Sequence, residues 1–387
     1  MLLPQATSRL VSVYVFAVAA QRCSAAQLGT LAIGTAVASM GTAVSPALVG
    51  KPLASLNEGE ERHRRGPQAQ SAAIAAAVLI AVLLAAAAAL TDGLTRLALV
   101  GGAIGLPAVM VVESSYWRQV FTDGAPPAGV RLSAAYVAQA LVVTAAALWA
   151  PVEWVVLSPF VGLLLVSAVV LATTSRQLSL RGAREWAGPL RPTWLPYVLG
   201  VGAGIALVQA IPPVLAATAG LAATSVYRAG ELAFGGANLV IGVVGQTFLT
   251  QGSARPRRAY LRGGLVGVVV ALANGLVLYL LPTEVLRVVV GPLVAPLLDV
   301  LPVMTAQRAA LALTTVGAML LVPLISARRH GSLDVVAAAL ALGLLVGGGV
   351  LYGLEGAIAG LAIAEAALAV LYLVLLRAAT RDEGVSP

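Results

Sequence analysis

The chain has 387 residues, 59% of them hydrophobic and only 10% charged, with a net charge of +8 and a mean hydropathy of +0.94. Soluble domains carry about 25% charged residues, so this chain has too little polar surface to be covered by water and reads as a protein built for a bilayer. Its one cysteine, Cys23, excludes an internal disulfide and any cysteine-rich metal or iron–sulfur site.

Hydrocarbon offers no partner to a backbone N–H or C=O, so repeated apolar runs of about 20 residues predict helices. A β-barrel would need short alternating segments, and Ser71–Leu90 (SAAIAAAVLIAVLLAAAAAL) does not alternate. In chain order the predicted spans are Leu3–Ala20, Ala26–Val49, Ser71–Leu90, Leu97–Trp117, Leu132–Ala150, Trp154–Thr174, Leu195–Leu215, Ala222–Thr250, Gly263–Leu281, Met304–Ala327, Leu333–Tyr352 and Gly356–Leu376, twelve in all. The first run lacks a basic leader and reads as a retained helix rather than a signal peptide. Arg22, directly before Cys23, is wrong for a lipoprotein cleavage site. Pro282–Pro302 is apolar but punctuated by Gly291, Pro292 and Pro296, which places it at the interface or as a lead-in to the tenth span.

Basic residues test this map. Eighteen of the 24 fall in the connections after spans 2, 4, 6, 8 and 10 and in the tail, so the positive-inside rule puts both termini in the cytoplasm. Trp117, Trp149, Trp154, Trp186 and Trp194 lie at or near predicted helix ends, where an amphipathic ring prefers the headgroup layer. The basic connection 175–194 separates a lobe at 1–174 from one at 195–387. Six helices is an even number, so both lobes would enter from the same side, as in parallel-repeat transporters. The expected fold is an all-α polytopic bundle of about 12 helices in two six-helix lobes.

Much chemistry is excluded. The single lysine, Lys51, precedes Pro52, so no phosphate-cradling GxxxxGK[ST] loop exists. Two histidines, His63 and His330, in predicted loops give neither a catalytic triad nor an HExxH site. The Glu58–Glu61 run stands beside arginines as a solvated loop rather than a glycosyltransferase centre. Scattered basic residues do not form a nucleic-acid face. No catalytic residue, cofactor or metal is therefore expected.

Ionisable groups inside spans are costly and mark function by default. Arg228 and Glu231 lie i, i+3 on the eighth span near Gly235 and Asn238. They either neutralise each other or present Arg228 to an anionic headgroup in a cavity, with Glu231 holding it. Arg22 and Arg308 fit snorkelling helix ends when taken singly and a phosphate fork if they converge. Glu113 and Glu365 are candidates for coupling to a cation; Gln246, Gln209 and Asn274 line a path or bridge helices.

Several stretches resemble Wzx-type oligosaccharide-lipid flippases of the MATE/MOP exporter superfamily: LLPQATSRLVSVYVFAVAAQRCSAAQLGTLAIG (Leu2–Gly34), ALVGKPL (Ala47–Leu53), YRAGELAFGGANLV (Tyr227–Val240), VVVGPLVAPLLDVLPVM (Val288–Met304) and YGLEGAIAGLAIAEAALAVL (Tyr352–Leu371). The chain departs from the family at Pro4 (Asp), Ser12 (Asn), Gln21 (Arg, with Arg22 one place on), Glu231 (Gln) and Gly235–Gly236 (Gly-Pro), while Arg228 and Asn238 align. The resemblance implies a bacterial plasma-membrane flippase for a polyprenyl-pyrophosphate-linked oligosaccharide. Its two lobes would rock about a basic cavity, with polysaccharide polymerase and glycosyltransferases as partners. The residues also leave open a cation-coupled drug or metabolite antiporter of the same superfamily, and a non-transporting scaffold for polysaccharide assembly.

Overall fold

A computed structural model describes residues 2–54, 59–122, 125–188, 195, 198, 208–251, 256–321, 324 and 327–382. Among these there is no strand. In order, the helices are α1 (Leu2–Ala20), α2 (Ala25–Ser45, continued by a π-helical turn at Pro46–Gly50), α3 (Lys51–Ala54), α4 (Gly59–Ala89), α5 (Gly93–Thr122), α6 (Ala125–Trp149), α7 (Val152–Thr174), α8 (Leu180–Ala187), α9 (Val208–Ala219), α10 (Leu221–Ala233), α11 (Gly235–Gln251), α12 (Pro256–Leu280), α13 (Thr283–Val290), α14 (Val294–Leu321) and α15 (Ala327–Asp382).

Among the described residues, eight helical stretches are long and apolar enough to cross a membrane, one of them, Ser332–Ala378, folded back on itself. Shorter apolar helices at Thr7–Ala20, Val208–Ala219 and Gly235–Val244 fall where further spans were expected. Much of the predicted span Leu195–Leu215 lies outside the described residues.

The chain divides into two compact units, 1–212 and 213–387. In the first, α5 is central and packs on α2, α4, α6 and α7. One core joins α1, α5 and α6 through Val11, Val15, Val112, Tyr116, Leu132 and Val143. Another joins the end of α2, α4, α5 and Trp186 of α8. The Phe160 ring of α7 lies so close to Gly101 and Gly105 of α5 that a β-carbon at either would collide with it. The basic segment 175–188 belongs to this unit, with α8 docked on α4.

In the second unit α14 is central, packing on α10, α11, α12 and α15. Two features differ from expectation. The tenth span begins at Val294 rather than Met304, because Pro296 falls in the first helical turn, where a missing N–H costs nothing. The eighth span is two helices, α10 and α11, interrupted at Phe234–Gly235, where the pair Gly235–Gly236 lowers helix propensity. As expected between the last two spans, α15 reverses at Tyr352 and Gly353: Gly353 has φ +63° and ψ −143°, and Gly348 and Gly360 closely approach Gly356 and Leu344 respectively. A straight helix would hold residues 344 and 360 about 24 Å apart.

Candidate functional site

Four candidate ionisable residues of the second unit, Arg228, Glu231, Arg308 and Glu365, lie on α10, α14 and α15. The first turn of α10 is set by Gly220, whose φ of +91° turns the chain out of α9. Two turns on, the i, i+3 spacing brings Arg228 Nη1 to Glu231 Oε2, a charge-assisted hydrogen bond of 3.0 Å. Both side chains are partly exposed, at 25% and 18%.

The second guanidinium comes from another helix. Arg308 lies in the middle of α14, not at a helix end, and is only 4% exposed. Its Nη2 faces Glu231 Oε1 at 3.5 Å, an ionic contact outside hydrogen-bond geometry, which leaves Nη2 and Nε without hydrogen-bond partners. Tyr227 donates its hydroxyl to the same Oε1 at 3.4 Å and also hydrogen-bonds Arg308. One carboxylate thus holds two arginines, one on each oxygen. Gly230 lies against Met304, one turn before Arg308 on α14, which fixes the register that brings the groups together.

Glu365 of α15 accepts a 2.5 Å hydrogen bond from Thr314 of α14 and attracts Arg308 electrostatically. Arg308 therefore has acidic groups on two helices. Asn274 of α12 donates to the Ala233 carbonyl at the end of α10, at 3.3 Å. Asn238, in the first turn of α11, has a buried Oδ1 with no hydrogen-bond partner. The side chain of Gln246 lies outside the described residues.

The remaining predicted residues lie in the first unit. Arg22 is exposed at the end of α1 and donates to the Ala147 carbonyl of α6. Glu113 of α5 is buried and accepts a 2.8 Å hydrogen bond from Tyr136 of α6, whose hydroxyl also pairs with Ser8 of α1. Beside Tyr116, one turn from Glu113, a cavity of about 510 Å³ opens between α5, α6 and α7, with Ser115, Gln119, Arg131 and Thr173 as its polar lining. Tyr227 was legible at i, i+4 from Glu231, whereas Tyr136 and Thr314 had no signal, since each acts across a helix pair. Among the described residues no three His, Cys, Asp or Glu side chains gather in a metal-binding arrangement.

No protein-family model and no curated protein sequence matches the chain. Its fold is found in solved transporters. An inward-facing multidrug-resistance MATE family transporter of the MOP superfamily superposes with a TM-score of 0.67 over 100% of this chain and 99% of that one, at 14% identity. The lipid II flippase MurJ in an inward closed conformation gives 0.63 over 97% and 87%, at 14% identity. The MATE multidrug transporter DinF-BH gives 0.61 over 97% and 95%, at 15%. The chain is thus a multi-pass helical membrane protein with the MATE/MurJ architecture.

Proposed function

We propose that this protein is a non-enzymatic transporter that moves a polyprenyl-pyrophosphate-linked oligosaccharide from the cytoplasmic to the outer leaflet by alternating access. One observation carries the reading: Arg228 and Arg308, from separate helices, share the single carboxylate of Glu231. Two guanidinium groups on one carboxylate can exchange that internal anion for an external one, and guanidinium matches the geometry of phosphate. A pyrophosphate-sugar head cannot enter hydrocarbon unaided, and Arg228 is exposed enough to meet it while the lipid tail stays in the bilayer. Asn238 belongs to the same proposed surface, and Gln246 and Arg22 are separate candidate contacts for the substrate. In this reading the termini lie in the cytoplasm of a bacterial inner membrane, and the polymerase and glycosyltransferases of glycan assembly are the partners.

The test is flipping of a fluorescent polyprenyl-pyrophosphate glycolipid in proteoliposomes. Arg228→Ala and Arg308→Ala are expected to abolish protein-dependent flipping at normal reconstitution levels, and wild-type rates in both would overturn the reading. A second reading, a cation-coupled antiporter, is favoured by Glu113, a buried carboxyl in the first unit held by Tyr136. Glu113→Gln with intact glycolipid flipping but lost cation-driven efflux would decide for it. Glu365 belongs to the same coupling proposal in the second unit.

A further inference from the structure

A groove of about 540 Å³ lies along α4, lined by none of the charged residues described above. Its floor is Ser71, Ile74, Val78, Leu79 and Val82, one stripe at helical spacing, and its other wall is Leu178–Leu180. From Ser71 to Val82 the stripe runs about 16 Å along the helix. Only its upper end is polar: Ser179 N donates to Ser71 Oγ at 3.2 Å, and Ser179 Oγ caps α8 by accepting from Gly182 N at 2.9 Å.

The short helix above the groove is amphipathic. It buries Gly182, Ala183 and Trp186 against the first unit and exposes Leu180, Arg181 and Arg184. It sits beside Gln68 and Ser71, where α4 changes from its polar first turns to its apolar run. That junction is where a span leaves the headgroup layer, and an amphipathic helix with basic residues on its open side lies in that plane. Arg181 is shared with Glu185 at 3.2 Å, and Glu185 also accepts from Gln68 at 2.7 Å. Arg184, one turn beyond the groove-lining Leu180 on the same helix face, carries the excess positive charge.

We infer that this groove holds an acyl chain of one anionic phospholipid drawn from the leaflet on the α8 side, with its phosphate at Arg184 and Arg181. A convex helix surface takes annular lipid without preference. A concave apolar floor ending at a basic rim selects by both chain and headgroup, whatever solute the protein moves. Each surface arginine near an anionic headgroup contributes about a fivefold preference.

The test uses the full-length protein purified from vesicles of phosphatidylcholine with a minor share of phosphatidylglycerol, with retained lipids counted by native mass spectrometry. One phosphatidylglycerol per chain is expected to survive purification in preference to phosphatidylcholine. Arg184→Gln should lower its retention about fivefold. Val78→Trp, which fills the groove at an exposed position and leaves both arginines, should release it while the thermal midpoint in detergent stays unchanged. Equal retention of the two lipids, or retention unaffected by either variant, overturns the inference. Loss in Arg184→Gln with full retention in Val78→Trp overturns it as well, because the phosphate would then be held without the groove.

Discussion

The hydroxyl of Tyr136 lies 2.8 Å from Glu113 Oε1 and donates to it across the α5–α6 interface. Removing that donor leaves a carboxyl buried with one partner fewer, a change that costs about 1–3 kcal/mol. Tyr136→Phe is therefore expected to lower the thermal midpoint in detergent, and Glu113→Gln on top of it to restore part of the loss. A double-mutant cycle by thermal unfolding checks this, and independent, additive effects would show that the pair is not coupled.

The two arginines on Glu231 are not equivalent. Arg308 is almost wholly buried, whereas Arg228 is a quarter exposed. Glu231→Gln strips the buried guanidinium of its nearer counter-charge and is expected to destabilise most, by about 3–5 kcal/mol. Arg228→Ala leaves the Arg308–Glu231 contact in place and should cost much less. Chemical or thermal denaturation of the purified variants gives the ranking, and an Arg228→Ala cost equal to that of Glu231→Gln would contradict it.

Gly353 adopts a backbone conformation (φ +63°, ψ −143°) open in practice only to glycine. Gly353→Ala should cost about 1–3 kcal/mol. Gly348→Leu should do worse, since its side chain would meet the backbone of Gly356 in the opposing arm. Loss of monodisperse protein on size-exclusion chromatography is the expected outcome for the second, and a lowered midpoint for the first.

Cys23 lies in the turn between α1 and α2, outside the spans, and burial pushes its thiol up from 9.0 to about 11, against a smaller opposing effect of Arg22. Since only the thiolate reacts, maleimide labelling of the folded protein should be slow at neutral pH and rise about tenfold per pH unit until about pH 11. A folded value above the unfolded one means that the native state holds a proton the unfolded chain releases, so this group's contribution to stability is intact below pH 9 and is lost as pH rises from 9 towards 11. Rapid labelling at pH 7 in the native state would refute the burial of this thiol.

Much of the fold was legible because hydrocarbon allows few solutions: runs such as Ser71–Leu90 had to be helical, and the last two predicted spans already parted between Tyr352 and Gly356. The start of α14 was misplaced because Pro296 looks like a breaker until it is known to occupy a first turn. That shift of ten residues moved Arg308 from a supposed headgroup position to mid-helix. Periodicity tells which face a residue is on, not which helix faces it, so Arg228 with Glu231 could be paired from spacing alone. The contacts of Glu231 with Arg308, of Glu113 with Tyr136 and of Glu365 with Thr314 required knowing which helices are neighbours.

The interruption between α10 and α11 has a steric consequence. Phe234 N–H bonds back to Gly230 and Asn238 N–H to Phe234, so one helix passes into the next without a loop. Beyond Gly235 and Gly236 there is open space where a side chain would fit. Larger residues there would therefore enter that space without a clash, four and five residues beyond Glu231.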